Sequence, residues 1–297
     1  MNLEPFPPIF EQSSLIAVKV ETRASNGQAI DVGTGFWFRP SEGHLYLVTN
    51  WHIVTGRQPQ APSLSASGAV PTQLVARVHR WKAENEIATD LFAEFAVRLN
   101  DPDGEDPQWL EHPILRHRAD VVALRVDGAV GLGELAIAAI GDDGIFDSTP
   151  GYEPRVMGDV FVIGFPWGLA GGTSVLPIYK RGAIASEPGL PQSGLPRFLI
   201  DCRSARGMSG SPVVAGGVAW GGVGKDGQQL LAANAKVFAG IYSGRLRVDA
   251  LQLGTDDSAS MREEAAGAIS EIGIVWRRDV LFELVTAAAG GSRVSEL

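Results

Sequence analysis

The stretch DCRSARGMSGSPVV, residues 201 to 214, sets Ser209 among Gly207, Met208, Gly210 and Ser211, directly before an apolar run. Small neighbours leave both its side chain and the adjacent backbone amides unobstructed. Two readings fit: a tight turn that contains a serine, or a nucleophile whose amides face a substrate. The second needs a base, because a serine hydroxyl attacks poorly until its proton is taken, and the base needs a third group to orient it. Of the five histidines, His44, His79, His112 and His117 sit among turn or charged residues. His52 differs: in HLYLVTNWHIV an apolar strand ends at Thr49-Asn50-Trp51 and delivers it at the rim, a rigid mount for a base. For the third group, HRADVVALRVD places Asp120 before Val121-Val122-Ala123-Leu124, where a carboxylate is partly desolvated yet able to pair with an imidazole. Asp90, in ATDLFAEF, is a rival in a similar frame. Singly these are an ordinary loop histidine, a strand-capping aspartate and a turn serine; together they read as base, orienting carboxylate and nucleophile.

Such a set must be held by rigid elements. The chain has 36 glycines and 18 prolines, and its apolar stretches are short and rich in Val, Ile and aromatics, the pattern of many strands separated by turns. SLIAVKVETR, AIDVGTGFWF, HLYLVTN, QLVARVHRW, FAEFAVRLN and DVVALRV read as strands in the first half. DVFVIGFP, IYKRGAIAS, RFLIDC, SPVVAGGVAW and KVFAGIYSG read as strands in the second. Residues 131–155, dense in Gly, Asp and Pro, divide a unit at 1–130 carrying His52 and Asp120 from a unit at 156–297 carrying Ser209. RRDVLFELVTAAA puts Val280, Leu281, Leu284 and Val285 on one helical stripe that stops at Gly290-Gly291. The expected class is all-β, two barrel-like halves with a C-terminal helix.

Composition narrows the function. At 297 residues and 45% hydrophobic content the chain buries a substantial core, and a net charge of −9 without a basic block argues against nucleic acid as a partner. The single cysteine, Cys202, forbids an intrachain disulfide, and the opening MNLEPFPPIFEQSSLIAVKV lacks a basic start with an apolar signal core. Every apolar run is too short to span a membrane. The expectation is a soluble, cytoplasmic protein. GVGKDG, residues 222–227, matches G-x-G-x-x-G, but no βαβ frame surrounds it, so it reads as a loop in an all-β domain. One cysteine and scattered histidines offer no zinc spacing, so no metal and no cofactor are expected.

Beyond the His52, Asp120, Ser209 order, which is that of chymotrypsin-type enzymes, the sequence resembles the trypsin-like serine peptidases. GTGFWF and LVTNWHIV resemble that family's second strand and histidine strand; VIGFPWG and KRGAIAS resemble the opening of its second barrel. ARGMSGSPVV is similar to the nucleophile loop, VFAGIYSGR to the strand lining the substrate pocket, and EIGIVWRRDVLFELV to the last strand and helix. The similarity is strongest to bacterial high-temperature-requirement-type proteases, here without a peptide-binding regulatory domain.

The resemblance implies two six-stranded antiparallel β-barrels with a C-terminal α-helix, and a peptide hydrolase acting on protein or peptide substrates. Ser209 would attack the scissile carbonyl, His52 shuttle the proton and Asp120 fix the imidazole, with the amides of Gly207 and Ser209 as the oxyanion hole. Met208 stands where the family usually has Asp or Asn, so an activation pair with a freed amino terminus is impossible. The substrate pocket would be framed by Arg203, Ser204 and Arg206 before the serine and by Tyr242, Ser243 and Gly244, within the stretch ending at Arg245, after it. Arg203, six positions before Ser209, would repel a basic side chain unless neutralised by Asp201, which leaves small or acidic residues as the expected preference. The departures are a long His52–Asp120 interval and an added loop, GGVGKDGQQLLAANAK, after the serine. Two other classes remain open: a protease-fold scaffold that binds partner proteins without cutting, and an esterase-like hydrolase, whose strand-turn-helix serine elbow is absent.

Overall fold

The computed structural model describes residues 11–40, 43–65, 68–83, 86–104, 106–142, 145–146, 152–171, 175–218, 234–247 and 269–289, with the backbone alone at 83, 86–90, 218, 234, 247, 269–270 and 289. The first half holds β1 (Ala17–Arg23), β2 (Ala29–Phe38), β3 (Tyr46–Thr49), a short helix α1 (Trp51–Thr55), β4 (Arg57–Gln58), β5 (Ala61–Ser65), β6 (Gln73–Ala83), β7 (Glu86–Arg98), β8 (Leu110–Glu111) and β9 (Val122–Arg125). The second holds β10 (Asp159–Gly164), β11 (Ile178–Ile184), β12 (Arg197–Asp201), β13 (Pro212–Val218), β14 (Asn234–Arg247) and β15 (Ile269–Arg277), followed by α2 (Arg278–Ala289).

The second half closes into a six-stranded antiparallel barrel, β10-β11-β12-β15-β14-β13, with β13 returning to pair with β10. The first half is a seven-stranded antiparallel sheet in the order β7-β6-β1-β2-β3-β9-β8. The six strands expected there are thus seven, and among the described residues β7 and β8 remain the two edges. β6 and β7 extend as a hairpin of 11 and 13 residues, while β8 has only two. Within the stretch expected to connect the halves, residues 135–140 are hydrogen-bonded to the first sheet. Ala136 N–H donates to His79 O at 2.8 Å, Ile140 N–H to Trp37 O at 3.0 Å and Arg39 N–H to Ile140 O at 2.9 Å. Leu135, Ala136, Ala138, Ala139 and Ile140 are buried.

Strand β2 shows how one run of residues serves two cores. Trp37 points into the first half with Val18, Val20, Leu47, Leu74 and Leu124. Its neighbours Phe36 and Phe38 point the other way, as the two-residue period of a strand requires, into a seam with Phe238 and Ile241 of β14 and Trp276 of β15. Helix α2 seals that seam: Val280, Leu281, Leu284 and Val285 are all buried in it, and Phe282 meets Phe38 edge-on at 5.3 Å. The barrel interior holds Val160, Val162, Ile200, Cys202, Met208, Val213 and Tyr242.

The expected strands recur with ends shifted by a few residues, but His52 does not sit on the rim of one. β3 stops at Thr49, Asn50 is extended, and His52 lies in the first turn of α1. Gly56 ends that turn in the left-handed region (φ 66°), its N–H donating to His52 O at 2.9 Å. The hairpin β4–β5 carries no apolar alternation and gives no periodic signal, whereas β8 falls within LNDPDGEDPQWLEHP, which reads as a hairpin turn plus strand.

Candidate active site

His52 and Asp120 are brought together by three hydrogen bonds of different kinds. The imidazole Nδ1 lies 2.7 Å from Asp120 Oδ2, the His52 backbone N–H donates to Asp120 Oδ1 at 2.9 Å, and the Asn50 amide donates to the Asp120 carbonyl oxygen at 2.6 Å. The carboxylate therefore also caps α1, satisfying an N–H that the first turn of a helix leaves without a partner. Trp51, beside it, donates its indole N–H to Glu111 Oε1 at 2.8 Å, which ties the helix to β8. Asp120 is almost fully buried, whereas 26% of the His52 side chain stays open to the cleft. Burial pulls the His52 pKa down, but the charge of Asp120, its hydrogen bond and the charge of Asp31 outweigh it, so the imidazole titrates above its ordinary 6.5.

Ser209 reaches this pair from the other half of the molecule, and Thr34 of β2 holds its loop. Thr34 N–H donates to Ser209 O at 2.8 Å, and its hydroxyl donates to Gly207 O at 2.7 Å while accepting Phe165 N–H at 3.1 Å. Thr49 Oγ1 in turn donates to Thr34 O at 2.8 Å. Gly207 (φ 90°) and Gly210 (φ 86°) adopt the left-handed backbone that glycine tolerates, and a Cβ would collide with Phe165 O at the first and with Thr34 O at the second. Trp167 N–H donates to Arg206 O at 2.5 Å, so the planar 206–207 peptide turns the Gly207 N–H the opposite way. Neither the Gly207 nor the Ser209 amide has a protein acceptor among the described residues, while those of Met208, Gly210 and Ser211 do. Two free donors flank the serine. Met208 is fully buried in the barrel core, so packing anchors the loop.

The third wall is β14. Tyr242 pairs with Val275 and Gly244 with Ile274, which leaves Ser243 as an extra residue in a β-bulge. Freed from the ladder, Ser243 turns both its polar groups to the site: its hydroxyl donates to Asp120 Oδ2 at 2.5 Å and its carbonyl accepts the Ser209 hydroxyl at 3.1 Å. The Ser209 hydroxyl is thus bonded to Ser243, not to the imidazole.

The expected pocket residues fare differently. Ser204 and Tyr242 are buried and share a short hydroxyl–hydroxyl bond, and burial pushes the phenol up to about 12. Arg245 reaches across to Ser204, Nη2 donating to its carbonyl and Nε to its hydroxyl at 3.3 Å. Arg206 is exposed and pairs with Asp31 at 2.9 Å. Arg203 is not brought to the site: 83% of its side chain is exposed, and its partner is Glu271 at 3.4 Å rather than Asp201. Asp90 lies on β7 with its side chain outside the described residues, and so does the whole of GVGKDG. His52, Asp120, Ser243, Gly244 and Arg245 line one cleft of about 780 Å³, and Gly207 borders a smaller hollow of about 230 Å³ with Ile30, Val32 and Trp167. Among the described residues no cluster of His, Cys, Asp or Glu is arranged to hold a metal ion, and no helix is long and apolar enough to cross a membrane.

Thr34, Asn50 and Asp31 escape a reading of the sequence because each acts through hydrogen bonds or a charge on segments far away along the chain. The threonine inside GTGFWF, on a strand facing the nucleophile loop, was the one available signal.

Among curated proteins, none matches this chain. Solved structures to which it is similar include the HtrA-type protease AlgW with a tripeptide (16% identity over 92% of this chain and 60% of that chain, TM-score 0.47). Others are the serine endoprotease from Yersinia pestis (15%, 97% and 69%, 0.46) and the active form of the Rv3671c protease from M. tuberculosis (16%, 96% and 85%, 0.36). The chain spans about three fifths of the AlgW chain. The trypsin-like peptidase domain model matches residues 33–221, well over half of the sequence and inclusive of His52, Asp120 and Ser209. The chain belongs to the trypsin-like peptidase domain family.

Proposed function

We propose that the chain is a serine endopeptidase that cuts protein or peptide substrates through an acyl-enzyme, with Ser209 as nucleophile, His52 as base and Asp120 as the group that orients it. The observation that carries this is the pairing of His52 Nδ1 with Asp120 Oδ2 at 2.7 Å beside a serine flanked by two unpaired amides. The buried carboxylate keeps the proton on Nδ1 and leaves Nε2 as the acceptor. Ser209 Oγ transfers its proton to Nε2 as it bonds to the substrate carbonyl carbon. The oxygen that becomes negative is met by the amides of Gly207 and Ser209, donors that need no rearrangement during the reaction. His52 then returns the proton to the leaving amine, and water repeats the sequence to release the acid. This proposal takes the seven-stranded half as the counterpart of the family's first barrel.

One observation favours the second reading, a protease-fold scaffold that binds without cutting: the Ser209 hydroxyl rests on Ser243 O. A rotation about the Ser209 Cα–Cβ bond exchanges that acceptor for Nε2, and a substrate N–H arriving at Ser243 O favours the exchange. A fluorophosphonate probe separates the readings. The peptidase is labelled and Ser209→Ala is not; a scaffold leaves both unlabelled.

A further inference from the structure

The charge of the cleft opposes that of the chain. The sequence carries 25 Lys and Arg against 34 Asp and Glu, yet among the described residues the cleft beside His52 and Ser243 is lined by Arg57, Arg197, Arg206 and Arg245 against Asp31 and Asp120. Both carboxylates are committed: Asp120 to His52 and Ser243, Asp31 to Arg206. Among the described residues no carboxylate stands within ion-pair distance of Arg57, Arg197 or Arg245.

These three cations are not equivalent. Arg57 is exposed and donates to Pro62 O, and Arg197 is turned back onto Gln192 O and the Trp276 ring. Arg245 alone spans the segments that flank the nucleophile. It leaves β14 two residues after Ser243, the residue that holds the Ser209 hydroxyl, and lands on Ser204, five residues before Ser209. Only Nε and one hydrogen of Nη2 have partners there, so Nη1 and the second hydrogen of Nη2 have no protein acceptor among the described residues, and Arg245 is one of the residues that line the cleft. The Ser204 hydroxyl that Arg245 grips is bonded in turn to the Tyr242 phenol, which is buried in the barrel core.

We infer that Arg245 is a specificity-determining residue that receives a carboxylate side chain on the substrate residue whose carbonyl Ser209 attacks, so that this peptidase cleaves after Glu or Asp. The inference rests on the peptidase reading above and names the substrate class of that same site. A planar guanidinium with a free edge pairs with a carboxylate by charge-assisted, two-pronged hydrogen bonds, and a Lys or Arg in the same place meets like charge. The role that position alone suggested for Arg203 thus passes to Arg245, because Arg203 lies in solvent against Glu271.

The test uses peptides blocked at both ends and identical except for Glu, Gln or Lys at one site. Their binding to the full chain carrying Ser209→Ala is read by fluorescence anisotropy, and their hydrolysis by the unaltered chain is read by mass spectrometry. The Glu peptide should bind on the order of tenfold or more tighter than the Gln peptide, and cleavage should fall directly after Glu. Arg245→Gln in the same background should erase that ratio, Arg245→Lys should keep part of it, and Arg181→Gln, outside the cleft, should leave it unchanged. A Gln peptide with a free C-terminus distinguishes a side-chain carboxylate from a terminal one: tight binding of that peptide and not of blocked Glu overturns the inference. So does equal binding of Glu, Gln and Lys peptides, or a Glu preference that survives Arg245→Gln. Discrimination through Arg245 without hydrolysis by the unaltered chain leaves recognition standing and removes the peptidase reading; hydrolysis without discrimination does the reverse.

Discussion

Replacing Thr34 by Val removes one oxygen atom at the joint between the two halves. The side chain is fully buried, and its hydroxyl serves two groups at once, donating to Gly207 O and accepting Phe165 N–H. Valine keeps the shape and strands both. A buried backbone group left without a partner costs about 1–3 kcal/mol, so two cost about 2–6 kcal/mol. Burying a methyl group in place of a hydroxyl recovers up to about 1 kcal/mol. The net expectation is a loss of about 1–5 kcal/mol of unfolding free energy, against the 5–15 kcal/mol typical of a folded domain, so the variant folds and its activity is measurable. The effect on turnover is the larger. Gly207 O is the hold that sets the loop in front of the free Gly207 and Ser209 amides, and misplacing one such donor costs about 10²–10³ in kcat. Urea unfolding followed by tryptophan fluorescence gives the first quantity, and steady-state hydrolysis of a peptide the unaltered chain cuts gives the second. Thr34→Ser, which keeps the oxygen, should lie close to the unaltered chain in both. A Thr34→Val chain with unchanged urea midpoint and kcat refutes the argument; a Thr34→Ser chain as impaired as Thr34→Val shows that shape, not the hydrogen bonds, holds the loop.

Three further outcomes follow from the site. Because the His52 pKa is raised above 6.5 and the base must be neutral, kcat/KM should fall as pH drops through a value above 6.5; Asp31→Asn removes one negative charge and frees the Arg206 cation, so the acid limb should move to lower pH. Asp120→Asn should lose on the order of 10⁴ in kcat, the loss established for that substitution in a chymotrypsin-type triad, and Asp90→Asn should lose little; the reverse pattern would reassign the orienting carboxylate. Met208→Ala should cost about 2–5 kcal/mol in urea unfolding, the range for a fully buried side chain cut back to Cβ, and a change below 1 kcal/mol would mean that the loop does not depend on its packing.

The strands were legible because alternation and turn residues mark them locally, and helix α2 because Val280, Leu281, Leu284 and Val285 repeat at helical spacing. His52, Asp120 and Ser209 could be singled out because each stands beside an apolar run that had to be core. What stayed hidden depends on approach between distant segments. Asn50 ends β3 because its amide is drawn to Asp120 O, 70 positions away, so the strand breaks into a helix that no local propensity announces. The bulge at Ser243 exists only relative to β15. The Arg203 expectation failed for a similar reason: counting back from the serine locates a backbone position, but whether a long side chain turns inward depends on where its carboxylate stands, and Glu271 stands outside.

The most direct test of the account is to catch the acyl-enzyme. The chain is mixed with a slowly deacylating ester of a peptide ending in Glu, quenched in acid within the first turnover, digested, and its fragments are weighed. The account predicts one acyl group per chain, on the fragment that carries Ser209, with none formed by Ser209→Ala and a much slower rate in His52→Ala. Acylation of another residue, or turnover of the same peptide by Ser209→Ala at an undiminished rate, would contradict it.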